Sequence, residues 1–575
     1  MIILGFSHFK AAHNTSAAII RDGRLVAAAE EERFTRVKHD GSVPVNAIDF
    51  CLRAAGVPMS DVDLVAFPDT PFRTGRDSAH AEIELDLLRR LRHEGSVSAR
   101  SIWHKRALDL WLSARLPMGN FGLSSEVAFA LAELRHRYGE LPPLRYVDHH
   151  RSHAAAAFFT SGLDEAAVTT IDGRGGNYAT VGWDANGYKL RRTFAEAYTN
   201  SIGIFYEDCT RYLGFDALQA GKTMGLAPYG NPDVLAEKVA VLLSTSGENA
   251  YSYQGKPNEQ LLGFPPRSNV AALCAPYPDF AAAVQKAFGR AVRRSVYRAT
   301  QLTEKNSLCL GGGAAYNCTT NGELRTSATG APPWVFPAAG DAGLSVGAAL
   351  FCAAERGELV CERLPHAYWG PGFSSSECEE FLRAEKRVIF RRANDIESET
   401  ARMLADGAVV GWFQGRMELG PRALGNRSIL ADPRSAAIRD RVNDIKRRER
   451  WRPLAPVVLA EYARQYFELE GPSEFMLFAA PVRHGKRGII PGVVHVDGSA
   501  RPQTVTRGQN ARLYDLLAAF DRITSVPMLL NTSFNDASEP IVCRPTDAIR
   551  TFLATGLDAL ILEDFIVTPA NRPGE

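Results

Sequence analysis

Short apolar runs separated by turn residues dominate the start of the chain and predict a β-sheet. Three of these runs lie at residues 2–5, 17–20 and 25–29. Asp22-Gly23, between the second and third runs, favours the tight turn of a β-hairpin. Apolar residues at helical spacing follow at 48–55, and another strand-like run lies at 63–66. The opening residues therefore predict an α/β fold.

The same strand–turn–strand pattern recurs in the middle of the chain. Residues 166–171 form an apolar run, a glycine-rich turn begins at Asp172-Gly173, and residues 178–183 predict the returning strand. Two hairpins with facing glycine-rich turns are typical of the actin, sugar-kinase and heat-shock ATPase fold, whose turns bind nucleotide phosphates. After a strand at 307–310, Gly311-Gly312-Gly313 would also let a ligand approach the backbone. An ordinary strand-to-helix turn is the alternative for these glycines.

Prolines and glycines between Leu364 and Phe373 divide the chain. We predict a first domain over residues 1–360, with a helical insertion at about 78–140. A linker over 361–373 and a second domain over 374–575 follow.

Composition limits the function classes. The 575 residues are 45% hydrophobic and 23% charged, with a net charge of +1. These values predict a soluble globular protein and argue against a general nucleic-acid or membrane role. Nine dispersed cysteines without a Cys-x-x-Cys pair, and no signal peptide, predict a cytoplasmic location. A monomer and a homodimer both remain open.

Four residues form a candidate metal site. His149 and His153 are four apart, which places both imidazoles on one face of a helix. Asp172 and Asp341 each begin a turn after a strand-like run. Two imidazoles and two carboxylates suit iron, manganese or zinc. Histidines at this spacing also occur as surface or capping residues.

The second domain is rich in fixed cations. Arginine and lysine next to proline or glycine suit phosphate and carboxylate groups. Five such residues are Arg422, Arg427, Lys446, Arg452 and Arg501. A solvated basic helix or an RNA-binding face is the alternative at 439–452. A capped turn explains the polar cluster at 531–535 as well as a ligand site does.

Seven stretches carry the most distinctive motifs: 30–39 (Glu-Glu-Glu-Arg-Phe-Thr-Arg-Val-Lys-His), 149–153, 221–227, 311–317, 420–428, 501–505 and 530–535. Together they resemble the NodU/CmcH family of O-carbamoyltransferases over essentially the whole chain. The resemblance implies a TsaD-like first domain and a YrdC-like second domain. In the family, the second domain makes carbamoyl adenylate from carbamoyl phosphate and ATP, with Mg²⁺. The first domain then transfers the carbamoyl group to a hydroxyl of a small acceptor of the antibiotic or Nod-factor type.

The resemblance also implies site residues. The implied metal ligands, for iron with manganese or zinc as alternatives, are His149, His153, Asp172 and Asp341. Nucleotide contacts are implied at Gly173, Lys222, Gly311, Gly312 and Asn317. The implied carbamoyl phosphate pocket comprises Arg422, Lys446, Arg452, Arg501, Asn531 and Ser533, of which Arg422, Lys446 and Arg452 are catalytic. His13 is implied as the base beside the acceptor; the family often has His-Asp there, where this chain has His13-Asn14.

Three other readings share parts of this pattern. A tRNA threonylcarbamoyladenosine enzyme uses the same two domain types but needs a basic RNA surface. A hydrogenase-maturation carbamoyltransferase would carry zinc-finger cysteines. A non-catalytic actin-like protein or chaperone ATPase would leave the cationic second domain without a role.

Overall fold

The computed structural model describes residues 1–8, 14–69, 125–246, 250–327 and 332–570. The proposed base His13 and residues 78–124 of the predicted insertion lie outside these ranges.

The first part of the chain contains two five-stranded sheets and a small two-stranded one. The strands are β1 (Ile2–Ser7), β2 (Ser16–Arg21), β3 (Arg24–Glu30), β4 (Leu64–Phe67), β5 (Leu144–Tyr146), β6 (Glu165–Gly175), β7 (Tyr178–Asn186), β8 (Lys189–Ala197), β9 (Leu243–Ser244), β10 (Ser252–Tyr253), β11 (Leu308–Gly311) and β12 (Trp334–Val335). The five-stranded sheets have the orders β3-β2-β1-β4-β5 and β8-β7-β6-β11-β12. In each, the first three strands are antiparallel and the last two run parallel to the central one. The two sheets are therefore copies of one topology.

The helices of this part are α1 (Glu32–Thr35), α2 (Val45–Ala55), α3 (Ser125–Tyr138), α4 (His149–Phe159), α5 (Ile202–Tyr212), α6 (Ala220–Leu226), α7 (Ala236–Leu242), α8 (Glu259–Leu262), α9 (Tyr277–Thr303), α10 (Cys318–Ser327) and α11 (Leu344–Glu355). Helix α3 is the described part of the predicted insertion. No helix in the described ranges is both long enough and apolar enough to cross a membrane.

Helices α4 and α11 pack against each other between the two sheets. Their contact is made by small residues, because a Cβ at Gly347 in α11 would overlap the Ser152 carbonyl oxygen of α4. A Cβ at Gly5 in β1 would likewise overlap the Ser345 carbonyl oxygen. Only glycine permits these approaches. The close packing places the start of α4 and the start of α11 side by side.

The second part of the chain contains an eight-stranded mixed sheet with helices around it. The strands of this part are β13 (Val388–Arg392), β14 (Val410–Phe413), β15 (Arg427–Ala431), β16 (Ala455–Leu459), β17 (Ala480–Pro481), β18 (Ser499–Ala500), β19 (Gln503–Val505), β20 (Met528–Ser533), β21 (Ala559–Leu562) and β22 (Phe565–Pro569). The order in the eight-stranded sheet is β13-β22-β21-β14-β15-β20-β16-β19, and β17 pairs with β18 in a separate two-stranded sheet. The helices are α12 (Ser375–Ala384), α13 (Ile396–Ala405), α14 (Ala436–Ile445), α15 (Ala463–Tyr466), α16 (Ala511–Thr524) and α17 (Pro545–Thr555).

Residues 30–38, which we call the strap, fasten the first part to the second. Arg33 and Glu30 hold the backbone of Gly420 through its carbonyl oxygen and amide nitrogen, each at 3.0 Å. Arg36 donates to the carbonyl oxygens of Ile541 (2.6 Å) and Pro540 (2.7 Å). All of these contacts join residues that lie far apart along the chain.

The predicted α/β fold class is confirmed, because both parts of the chain combine β-sheets with helices. The Asp22-Gly23 hairpin turn is confirmed as well, with φ values of 51° and 74°. Several strands are longer than predicted: β1 ends at Ser7 and β7 at Asn186, and β6 continues past Ile171 to Gly175 through a register shift. The domain limits at 360 and 374 stay predictions. Within the predicted linker, Trp369 accepts a backbone hydrogen bond from Ala28, and Gly370 donates one to Met417.

Candidate active site

Two histidines at the start of α4 form one half of the first cluster. The Asp148 side chain caps the helix by accepting a hydrogen bond from the Arg151 amide at 2.9 Å. This cap fixes where the helix begins and thus sets His149 in its first turn. His153 follows one turn later, and the Nε2 atoms of the two rings are 3.1 Å apart.

Two aspartates complete the cluster. Asp172 lies in the irregular stretch of β6, and such bulges re-aim side chains. Its Oδ2 is 2.9 Å from His153 Nε2 and 3.6 Å from His149 Nε2. Asp341 precedes α11, and its Oδ1 lies 3.6 and 3.7 Å from the same two nitrogens. One ligand atom from each of the four residues lies within 4.8 Å of the others.

Burial and charge act together on this cluster. Burial opposes protonation of His153, but Asp172 and Asp341 outweigh it and raise its pKa to about 9. Burial also opposes ionisation of Asp172, yet His149 and His153 hold the pKa of its carboxyl well below the usual value. Two imidazole nitrogens and two carboxylate oxygens, converging without a thiolate, fit one divalent metal ion.

The His150 side chain does not belong to the cluster of His149, His153, Asp172 and Asp341. Its ring nitrogens contact the Thr170 hydroxyl and the Tyr178 carbonyl oxygen, both at 3.0 Å. Burial, followed by the repulsion of His149, lowers its pKa to about 4. Neutral His150 supports the hairpin behind the cluster.

The glycines of the two turns meet at the His/Asp cluster. Gly312 has a φ of +85°, and a Cβ there would overlap the Ile171 carbonyl oxygen. A Cβ at Gly311 would lie 3.0 Å from the His153 carbonyl oxygen. The Gly313 amide lies 3.4 Å from Asp172 Oδ2, and the Gly173 amide donates to Asp172 Oδ1 at 2.7 Å. The cluster thus lies beside backbone that a nucleotide could approach.

Two predicted nucleotide contacts have protein partners. The Asn317 amide pairs reciprocally with the Gln285 amide at 3.0 Å, and its oxygen accepts from the Thr320 amide. Lys222 Nζ donates to Glu449 Oε1 of the second part at 2.9 Å and lies over the Phe215 ring. Their roles as nucleotide contacts stay predictions.

Glu207 is a group near the cluster that the sequence analysis missed. It lies in α5, and its Oε1 would be 3.0 Å from a Cβ at Gly173. Burial, with smaller contributions from Asp172 and Asp341, raises its pKa to about 7, although Arg211 opposes the shift. No sequence motif marks Glu207, because it comes near the cluster only through the packing of α5 against β6.

A second site lies between the two parts of the chain. It is a cavity of about 270 Å³. The second part contributes its cationic lining: Arg422, Arg448, Arg452 and Arg501. The first part contributes Met224, Gly225, Cys318 and Thr319.

Several donors in this lining are buried and lack a hydrogen-bond partner in the described chain: Arg422 Nε, Arg448 Nη2, Trp451 Nε1 and Arg501 Nε. Burial and the adjacent Arg501 lower the pKa of Arg422 to about 9. Burial also lowers the pKa of Arg452, although Glu449 opposes the shift. Crowded guanidinium groups of this kind suit an anion with several oxygens.

Lys446 and Arg448 differ in their surroundings. Lys446 Nζ donates to Asn535 through its carbonyl oxygen (2.8 Å) and Oδ1 (2.9 Å), and it also contacts Ser533. The four oxygens fix the loop after β20. Arg448, which sequence reasoning did not select, lines the cavity, and burial lowers its pKa well below the usual value. Arg447 between them has a left-handed φ of 49°.

Hydrogen bonds from the loop backbone to Glu418 fix the conformation of residues 420–428. Glu418 Oε1 accepts hydrogen bonds from the amides of Leu424, Asn426 and Arg427 at 2.7–3.2 Å. The fully buried Arg427 guanidinium stacks 3.6 Å from the Phe413 ring centre and donates to backbone carbonyls. Arg427 is thus a structural residue, whereas Arg422 lines the cavity.

One segment connects the two sites. Residues 311–319 run from the glycines beside His153 to Cys318 and Thr319 of the cationic cavity. Tyr316 lies between them: burial raises the pKa of its hydroxyl, and the charges of Arg422 and Asp341 both act on it. The His/Asp cluster and the cationic cavity are therefore neighbours.

Comparison with known proteins agrees with this architecture. The family model described as Carbamoyltransferase N-terminus matches residues 2–350, and that described as Carbamoyltransferase C-terminus matches residues 401–569. Nodulation protein NolNO of Sinorhizobium fredii is 40% identical over 96% of this chain and 79% of its own length. Nodulation protein NolO of Bradyrhizobium diazoefficiens is 42% identical over 73% of this chain and 78% of its own length.

Among solved structures, HypF of T. kodakarensis has 12% sequence identity and a TM-score of 0.33, covering 62% of this chain and 49% of that one. The two family models and the nodulation relatives agree with the motifs of the sequence. The chain belongs to the carbamoyltransferase family.

Proposed function

We propose that this carbamoyltransferase is ATP-dependent and transfers a carbamoyl group to a hydroxyl of a small acceptor. The observation that carries the proposal is a cationic cavity joined by residues 311–319 to a His/Asp cluster. The cavity suits the activation of a phosphate-bearing substrate, and the cluster suits the transfer step. Because the two sites are neighbours, carbamoyl adenylate made in the cavity could reach the cluster without passing through bulk water.

The cavity would perform the first half-reaction. Carbamoyl phosphate and water give carbamate and phosphate, and a carbamate oxygen then attacks the α-phosphorus of ATP, which releases pyrophosphate. Arg422, Arg448 and Arg501 present donors that have no hydrogen-bond partner among the described residues and would bind the phosphate oxygens. They would also stabilise the departing phosphate, because fixed donors in a buried site are already oriented. Mg²⁺ would accompany ATP.

The cluster would perform the second half-reaction. His149, His153, Asp172 and Asp341 would hold a divalent ion, with iron as our first choice and manganese or zinc as alternatives. When bound, the ion would supply Lewis-acid stabilisation of charge on the AMP leaving group. The glycines at 311–313 would let the adenylate approach the backbone, and the buried surroundings would exclude water from the carbamoyl group.

The acceptor hydroxyl must lose a proton as its oxygen bonds to the carbamoyl carbon. The resemblance assigns this proton to His13, which lies outside the described residues. Glu207, with a pKa raised to about 7, is the described carboxyl near the cluster that could serve as an additional proton acceptor. We propose an acceptor of the antibiotic or Nod-factor type and a cytoplasmic reaction.

The decisive experiment mixes the purified protein with ATP, carbamoyl phosphate and a panel of hydroxyl-bearing acceptors. We expect pyrophosphate release and an acceptor mass increase of one carbamoyl group. Omitting either ATP or carbamoyl phosphate should abolish both signals. Carbamoylated product formed without ATP would contradict the proposal.

A further inference from the structure

Two buried residues of the strap, Glu30 and Arg33, enclose one glycine of the second part. Glu30 ends β3, Arg33 lies in α1, and each is only 3% exposed. Glu30 Oε1 accepts hydrogen bonds from the Gly420 amide and from Arg33 Nη2, at 3.0 and 3.1 Å. The same Nη2 donates to the Gly420 carbonyl oxygen at 3.0 Å. These three hydrogen bonds form a closed ring, which we call the clamp, and it includes both backbone polar groups of Gly420.

The clamp is anchored in the first sheet. Glu30 pairs with Ser16 where β3 lies beside β2, so its backbone cannot move without breaking the strand pairing. Arg33 Nη1 lies 3.0 Å from Glu32 Oε1, so the guanidinium is held between two carboxylates. Charge-assisted hydrogen bonds of this kind are strong and fix geometry. The first part of the chain therefore sets the position of Gly420.

Gly420 is a point where the chain needs such a constraint. Its φ is +101°, and a Cβ there would lie 2.7 Å from the Pro337 carbonyl oxygen, so glycine is required. Glycine also has the greatest backbone freedom. The preceding Leu419 amide donates to the Ala367 carbonyl oxygen at 2.8 Å, but a bond before a glycine does not fix the direction of the chain after it. The clamp fixes that direction.

The direction matters because Arg422 follows two residues later. Pro421, whose ring restricts φ, and Arg422 both line the cavity. Arg452 and Arg501 are close enough to repel the Arg422 guanidinium, which favours its displacement from an unconstrained loop. Glu418 holds the loop after Arg422 through the amides of residues 424 and 426. The clamp holds the loop before it.

We infer that Glu30 and Arg33 are positioning residues, which act through Gly420 to hold Arg422 in place for carbamoyl phosphate. The inference rests on the proposed function, and it makes the first half-reaction depend on the first part of the chain. The alternative is that the clamp only fastens the two parts together. Loss of fastening would lower the number of active molecules and hence kcat. A misplaced Arg422 would instead raise KM for carbamoyl phosphate.

The test measures kcat and KM of pyrophosphate release at saturating ATP while carbamoyl phosphate is varied. Arg33→Met removes the donor to the Gly420 carbonyl oxygen, so KM should rise by about 10-fold or more. Arg33→Lys keeps the charge and can still donate to Gly420, so it should recover part of this loss. Transfer from preformed carbamoyl adenylate should survive in both variants, because it does not use Arg422.

Glu30→Gln tests the other half of the clamp with almost no change of shape. Its Nε2 would face Arg33 Nε, which now lies 3.4 Å from Glu30 Oε2, and two donors would then oppose each other. KM should therefore rise in this variant too, by less than in Arg33→Met. KM does not depend on the amount of folded protein, so a variant that folds poorly remains informative.

A double-mutant cycle with Arg422→Gln tests the route of the effect. If the clamp acts through Arg422, Arg33→Met should raise KM about 10-fold in the wild-type background and hardly at all when Arg422 is already replaced. Effects that multiply would show that the clamp acts independently of Arg422, and they would overturn the inference.

Arg325→Met is the matched control. Arg325 in α10 is another buried arginine of the first part, 8% exposed, and it donates to the carbonyl oxygens of Glu470 and Pro472 in the second part. These three residues are not among the described residues that line the cavity. Arg325→Met should leave KM unchanged, even if it lowers kcat.

The remaining failures are distinct from one another. Unchanged KM in Arg33→Met and Glu30→Gln would show that the clamp only fastens the two parts. An equal rise of KM in Arg325→Met would show that any loosening between the parts has this effect, and it would overturn the inference as well. Both results leave the first half-reaction intact. A wild type that releases no pyrophosphate with carbamoyl phosphate overturns the proposed function and this inference with it.

Discussion

At the residue scale, the four candidate metal ligands carry the clearest prediction. The double variant His149→Ala, His153→Ala removes both nitrogens from the donor set, so divalent metal should be lost. Metal analysis should give about one ion per wild-type chain and much less in the double variant. His150→Gln is the control, because His150 contacts Thr170 and Tyr178 instead. Full transfer activity in metal-free wild type would contradict a role for the ion.

Arg448 carries a second prediction at this scale. Arg448→Gln removes a buried donor from the cavity, so KM for carbamoyl phosphate in pyrophosphate release should rise by about 10-fold or more. Arg450→Gln should leave KM unchanged, because Arg450 is exposed and pairs with Asp444. Transfer from preformed carbamoyl adenylate should survive in both variants. Equal KM values for Arg448→Gln and wild type would show that Arg448 does not bind carbamoyl phosphate.

The cations of the second part show which features of the site could be predicted from the sequence and which could not. The sequence indicated a cationic pocket, and the structure places Arg422, Arg452 and Arg501 in its lining. The sequence could not separate Lys446 from Arg448, because both are cations two positions apart, and only the folded chain places Arg448 in the cavity lining and Lys446 against Ser533 and Asn535. Arg427 and Arg422 are equally cationic in the sequence, and only the Phe413 ring and the surrounding carbonyls give Arg427 its structural role.

At the element scale, the close contact of α4 and α11 carries the third prediction. Gly347→Ala adds a methyl where the Ser152 carbonyl oxygen already lies, so α4 must shift. We expect a loss of about 1–3 kcal/mol in the free energy of unfolding. Metal content should fall as well, because α4 carries His149 and His153. Thermal denaturation and metal analysis would measure the two effects.

Gly485→Ala is the control for this prediction, since no atom lies within 4 Å of a Cβ there. It should leave both the melting temperature and the metal content near their wild-type values. If Gly347→Ala behaves like Gly485→Ala, the helix contact is more adaptable than its packing indicates.

Elements were easier to predict from the sequence than the irregularities within them. Alternating apolar runs and turn residues predicted both hairpins, because local propensity and core packing agree there. The bulge in β6 was not predicted, since it depends on how β7 pairs with the strand. That irregular stretch carries Asp172, so the strand pattern alone would not place this carboxylate beside the histidines.

At the scale of the whole molecule, the proximity of the two sites carries the fourth prediction. The double histidine variant should still release pyrophosphate, and Arg448→Gln should still transfer from preformed adenylate. At a carbamoyl phosphate concentration well below the KM of Arg448→Gln, where that variant makes little adenylate itself, a mixture of the two variants should nevertheless form much less product than the same amount of wild type. The reason is that carbamoyl adenylate made in one molecule would have to cross water to reach the other. Chromatographic quantification of carbamoylated acceptor measures this, and wild-type yield from the mixture would indicate a freely diffusing intermediate.

The strap has a consequence for the order in which the molecule is completed. Arg36 binds the carbonyl oxygen of Ile541, a partner 505 residues further along the chain. At about 5–20 residues per second, that partner leaves the ribosome roughly 25–100 s after Arg36 does. Until then Arg36 lacks its carbonyl partners on the far part of the chain. A nascent chain that stops before residue 540 therefore contains both copies of the duplicated sheet, but it lacks the partners that Arg36 binds in the second part.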